Sequence, residues 1–114
     1  MQKKDEIVKS ICAMLVTRKL ITDYAYDHFR KQDPAQPPFA VYRRVAPENF
    51  SADGVVYHRG DNVDFEIYAD TPEDMAVIMD EAEKLMDEAE IFWRCAADTV
   101  YIESENYYET LYEL

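Results

Sequence analysis

Apolar residues recur at helical intervals in two stretches of the chain and at every second position in several others. The first helical stretch spans about 4–19, where Ile7, Ile11, Met14 and Leu15 form one stripe. Asp5 and Glu6 in its first turn, and Arg18 and Lys19 in its last, suit the helix dipole. The second opens at Thr71-Pro72-Glu73-Asp74: a Thr N-cap, Pro at the first helical position and acids in the first turn. Met75, Ile78, Met79, Ala82, Leu85, Met86 and Ala89 carry its stripe to about Glu88.

Between and after the helices the pattern alternates. FAVYRRV (39–45) predicts a strand with Phe39, Val41 and Val45 on one face. VVYHR (55–59) and NVDFEIYA (62–69) predict a hairpin across Gly60-Asp61, a Gly-first turn of type II′. In the second arm Val63, Phe65, Ile67 and Ala69 face a core while Asp64, Glu66 and Tyr68 face out. That arm is expected at the centre of the sheet. Two closing strands are predicted at 91–96 and 107–114, with TVYIESEN (99–106) as a bulge or short extra strand. Residues 24–29 fit a short strand or a turn equally well. RKQDPAQPP (30–38) breaks regular structure with three of the five prolines, and APENFSADG (46–54) reads as a loop. The order predicts one α+β domain over 1–114. Its antiparallel sheet has about four to five strands, with an N-terminal helix and a central helix packed on one face.

Composition narrows the functional classes. At 114 residues with 48% apolar content, nine Tyr, five Phe and a Trp, the chain suits a single folded domain and not a disordered acidic tail. The opening MQKKDEIVKS lacks the apolar region of a signal peptide, and no apolar run approaches the roughly 18 residues of a membrane span. A cytosolic protein is expected. Cys12 and Cys95 have no CxxC spacing and read as small core hydrophobes. The net charge of −12 is unevenly spread. Residues 1–60 carry ten Lys/Arg against seven Asp/Glu; residues 61–114 carry two against seventeen. That field repels nucleic-acid backbones and suits head-to-tail association of copies.

Catalytic chemistry finds little footing. His28 and His58 stand alone, outside any metal-ligand spacing, and two glycines cannot build a phosphate loop. Glu81, Glu83, Asp87 and Glu88 are dense enough for a carboxylate cluster but fall on the flanks and back of their helix, where a solvated face is expected. GDNVD lacks the glycine and bidentate Glu of a calcium loop. No catalytic residue, cofactor or metal is expected. Signs of interaction are stronger. Asp87, Glu88 and Glu90 crowd a helix C-terminus against its dipole, and Val77 lies on the polar back of the same helix. Tyr57, Tyr68, Tyr107, Tyr108 and Tyr112 fall in a sheet that two helices cannot cover on both sides, and tyrosine suits such half-wet surfaces.

The order of segments resembles the tail terminator (tail completion) proteins of long-tailed bacteriophages. The cues are PPFAVYRR, the NF-x-AD loop in ENFSADGVVYHRGDNVDFEIYAD, the E-x-Y-x-D second arm, an amphipathic helix ending before IFWRC, and the close TVYIESENYYETLYEL. They cover about residues 37–114. The resemblance implies a structural virion protein without catalytic residues, assembled as a ring, usually a hexamer. Such a ring caps the head-proximal end of the tail tube, ends its growth and joins the head connector. Its implied partners are further copies, the major tail tube protein and a connector protein, and its implied location is the host bacterial cytoplasm and then the virion tail. A hairpin with little core of its own suits a partner outside the subunit. Phe50, Tyr57 and Arg59 in the hairpin and its approach, Tyr68 on the second arm and Val77 on the helix are the expected contact residues. The competing readings are an acidic decoy that mimics DNA to block a nucleic-acid-binding enzyme, and another minor head–tail connector component.

Overall fold

The computed structural model describes residues 3–29, 36–45 and 62–114. In chain order these form α1 (Lys4–Thr17), β1 (Asp23–Tyr26), β2 (Phe39–Arg44), β3 (Val63–Ala69), α2 (Pro72–Glu88), β4 (Arg94–Ile102) and β5 (Tyr107–Glu113). The strands make one sheet in the order β1-β2-β3-β5-β4. The fold is α+β with an N-terminal and a central helix, as the pattern predicts. Three strand pairs are antiparallel, and β1 joins β2 in parallel. The undecided segment 24–29 therefore begins as an edge strand. The twelve residues 27–38 separating it from β2 match the dozen or so that a parallel return requires.

β3 lies at the centre. Both of its hydrogen-bonding edges are taken, by β2 with Tyr42 opposite Phe65, and by β5 with Tyr112 opposite Phe65. The expected hairpin pairing of 62–69 with 55–59 is thus replaced, and the 55–59 arm and its Gly60-Asp61 turn lie outside the described residues. Val63, Phe65, Ile67 and Ala69 are buried as predicted, under α1 and α2. Tyr112 joins them with no exposed surface, its ring stacked 5.9 Å from Phe65.

Two expected faces differ. In α1 the buried residues are Val8, Ile11, Cys12 and Leu15; Ile7 is half-buried and Met14 is exposed. Packed beside α2 on the sheet, the helix buries a stripe rotated from Ile7 and Met14 toward Val8 and Cys12. In β2 the helix-facing residues are Ala40 and Tyr42, opposite Ile67 and Phe65, whereas Phe39 and Val41 are buried on the far face. FAVY is apolar on both sides of the pleat, so alternation alone cannot choose between them; the register does.

The helix ends rest on local chemistry. Thr71 Oγ1 accepts from the Asp74 N–H at 3.1 Å, the predicted N-cap. Both C-termini close without glycine. Leu20 N–H bonds the Leu15 carbonyl and Lys19 N–H that of Val16; Ile91 N–H and Glu90 N–H repeat the pair on Met86 and Asp87. The pivotal residues, Lys19 at φ 61° and Glu90 at φ 59°, sit in the left-handed region that glycine prefers. The closing strand expected at 91–96 is instead β4, which starts at Arg94 and runs on to Ile102 through the first part of the expected bulge or extra strand before a turn at 103–106, with register shifts between Cys95 and Ala97 and between Ala97 and Val100.

Phe65→Ala is expected to cost about 3–5 kcal/mol and Leu85→Ala about 2–5 kcal/mol, from lost transfer energy plus the cavity left behind. Urea denaturation measures both, and unchanged midpoints would contradict this core. Glu90→Gly should stabilise by about 0.5–1 kcal/mol by relieving the left-handed backbone, seen as a higher midpoint at constant slope.

Candidate interaction surfaces

The sheet face away from the helices is covered by its own side chains. At one end Phe39 stacks on Tyr68 with ring centroids 4.8 Å apart, and Tyr107 meets both rings edge-on at 5.8 and 5.3 Å. Phe29 closes the group against Phe39 at 5.3 Å. Toward the other end Arg43 of β2 gathers two carboxylates from β3 and one from the turn after β1. Its Nη2 donates to Glu66 Oε1 at 2.7 Å and its Nε to Asp27 Oδ1 at 3.3 Å, with Asp64 Oδ2 at 4.0 Å. Glu66 also hydrogen-bonds Glu109 of β5, whose Oε2 accepts from Tyr68 O–H at 3.0 Å.

This geometry sets the ionisation of the face. Burial, then the hydrogen bond with the Glu109 carboxyl, push the Glu66 carboxyl above its ordinary range, and the Arg43 charge only partly offsets them. Burial also raises Asp64, helped by the charge of Glu113. Asp27 moves the other way, held down by its hydrogen bond with His28 and then by Arg43.

The β4 edge carries a different surface. Ile91 is buried, and Trp93 is pinned by its Nε1–H donating to Asp87 Oδ1 at 2.8 Å and by its ring lying edge-on to Tyr112. Phe92, between these two anchors, is 85% exposed. On β4 itself Val100 and Tyr101 are about half exposed.

The expected contact residues fall into three groups. Phe50, Tyr57 and Arg59, like His58, lie outside the described residues. Val77 is 55% exposed on the outer side of α2, whereas Tyr68 is half-buried in the aromatic group above. Of the tyrosines read as half-wet, Tyr112 is instead a core residue whose O–H donates to Glu83 Oε2 at 2.7 Å. Of the four acids expected on a solvated helix face, Asp87 and Glu88 are exposed, whereas Glu81 and Glu83 are half-buried; Glu81 pairs with Arg18 of α1, Glu83 with Tyr112 and Asp87 with Trp93. The Asp87 contact accounts for one of the acids crowding that helix end. Cys12 is buried, its thiol pushed up to about 12 by desolvation, and Cys95 is half-buried; Cys12 suits the core reading. Phe92 and the Glu66–Glu109 contact were missed. IFWRC contained the signal for Phe92, since alternation between two buried neighbours turns the middle residue out.

Because Glu66 holds its proton more tightly in the folded chain than in the unfolded one, its contribution to stability is present below the ordinary glutamate range and lost as pH rises through its raised folded value. Glu66→Gln, which stays neutral at every pH, should therefore be more stable than wild type at pH 7 by about 1 kcal/mol, the order of one net hydrogen bond. The difference should vanish near pH 4. Melting curves across this range test it, and a variant less stable than wild type at pH 7 would show that Arg43 needs a charged partner.

Among the described residues no helix is long and apolar enough to cross a membrane. In comparisons with known proteins the chain matches no family model, no curated sequence and no solved structure, so the reading of these surfaces rests on their own chemistry.

Proposed function

We propose that this chain is a structural virion protein of the tail terminator kind. A ring of copies would cap the head-proximal end of a phage tail tube, end its polymerisation and join the tail to the head connector. The support comes from the order of segments. PPFAVYRR leads into and forms β2, the E-x-Y-x-D stretch runs from the end of β3 into the turn before α2, and TVYIESENYYETLYEL supplies the end of β4 and all of β5. These quoted segments thus build neighbouring strands of one sheet, β2-β3-β5-β4. Surfaces rich in aromatic and charged side chains on that sheet suit contacts with other subunits.

The experiment mixes the purified chain with polymerising major tail tube protein and reads tube lengths by electron microscopy. Wild type should arrest growth and label one end of each tube. Phe50→Ala combined with Arg59→Glu should melt within a degree or two of wild type yet fail to cap, Phe50 serving as apolar anchor and Arg59 as basic contact. A double mutant that melts normally and still caps would make the stretch 49–59 ordinary surface. A wild-type protein that leaves tube growth untouched and stays monomeric would favour the acidic-decoy reading, which the two Lys/Arg against sixteen Asp/Glu of residues 62–114 support.

A further inference from the structure

The seam between α2 and the β4–β5 pair holds a sulfur beside two hydroxyls. Met79 of α2 is half-buried there, and its Sδ accepts from the Thr110 hydroxyl of β5 at 3.3 Å. Thr110 is fully buried, and its Oγ1 already accepts from the Thr99 N–H at 3.0 Å. Its one proton is therefore given to a thioether, a weak acceptor. The Thr99 hydroxyl stands 3.8 Å from the same sulfur and 2.6 Å from Asp98 Oδ1. Strain holds this arrangement in place. Thr99 is β-branched yet sits at φ 54°, in the left-handed region that such residues avoid, at the register shift between Ala97 and Val100. That bulge sets Asp98 and Thr99 opposite the single residue Thr110 and brings both threonine hydroxyls against Met79.

We infer that Met79 is a site of oxidation by hydrogen peroxide within the folded chain, with Thr110 and Thr99 as the donors that hold the sulfoxide oxygen. In that step sulfur gives an electron pair to one peroxide oxygen and the O–O bond breaks. The other oxygen leaves as water with the proton of the oxygen transferred, so sulfur is oxidised and peroxide reduced. A sulfoxide in a core ordinarily disrupts it, because the new polar oxygen is buried without a partner. Here the partners are in place. The Thr110 proton, given to sulfur in the reduced chain, passes to a stronger acceptor. The gap to Thr99 Oγ1 is too long for a strong bond to sulfur but leaves room for an oxygen bound to it. Three other methionines set the contrast. Met75 and Met86 are sealed in the core with no exposed surface, and Met14 lies open on α1. Met79, half-buried, is open to a small oxidant yet enclosed by donors. The inference needs no ring and stands apart from the proposed function.

Peroxide titration of the folded protein, read residue by residue by peptide mass spectrometry, provides the test. Met79 should gain an oxygen at doses that leave Met75 and Met86 untouched. Melting curves before and after oxidation then read the donors, with Met14→Leu present throughout so that Met79 dominates the shift. With both threonines intact, the oxidised protein should melt within about two degrees of the reduced one. In Thr110→Val, which removes the hydroxyl at nearly constant shape, oxidation should lower the midpoint by about 5 °C, the order of one lost hydrogen bond. Thr110→Ser keeps the hydroxyl and should behave like the parent. Comparing oxidised with reduced protein inside each variant removes the effect of the substitution itself. If Thr110→Val does not fold, Thr99→Ala takes its place with the same expected sign. A Met79 that stays unmodified, or is modified only together with Met75 and Met86 and hence through unfolding, would overturn the proposal. So would an oxidised parent that melts as far below its reduced form as oxidised Thr110→Val melts below its own.

Discussion

Everything in this domain depends on how the two faces of β3 are satisfied. Val63, Phe65, Ile67 and Ala69 point one way and are sealed under the two helices; Asp64, Glu66 and Tyr68 point the other way, where no described helix lies. A central strand cannot leave a polar face both buried and unpaired, since each lost partner costs more than a hydrogen bond returns. The sheet meets this demand with its own side chains. β2 supplies Arg43 to Glu66, and β5 supplies Glu109 to both Glu66 and Tyr68.

That solution leaves its mark on the electrostatics. One guanidinium serves three carboxylates from neighbouring elements, so the face is short of positive charge. Glu66 is raised, first by its burial, and Asp27, hydrogen-bonded to His28 and Arg43, is lowered. The aromatic group of Phe39, Tyr68 and Tyr107 shields the end of the sheet that the arginine does not reach.

The edges show the complementary economy. Trp93 and Ile91 are drawn inward at the start of β4, which leaves Phe92 in water. Such a ring leaves a large apolar surface in contact with solvent. The irregular ladder of β4 protects an otherwise open edge from indiscriminate strand pairing.

The sequence by itself determined what depends on local chemistry. Thr71-Pro72 starts a helix because it supplies a side-chain acceptor and a preset φ, and NVDFEIYA makes a central strand because only one side of it is apolar. The α+β class, the α2 stripe and the core role of Cys12 follow from such patterns. Tertiary structure decided what local pattern leaves degenerate. FAVY could bury either face, and the register with β3 chose Ala40 and Tyr42 for the helices. DYAY could be strand or turn, and a free edge on β2 made it a parallel strand. Tyr112 reads like any other tyrosine until the third dimension places Glu83 at its hydroxyl. The Glu66–Glu109 contact joins residues 43 positions apart, and only pairing of β3 with β5 brings them together. Periodicity records which side of one element is apolar; the partner that covers that side is chosen by the packing of all elements at once.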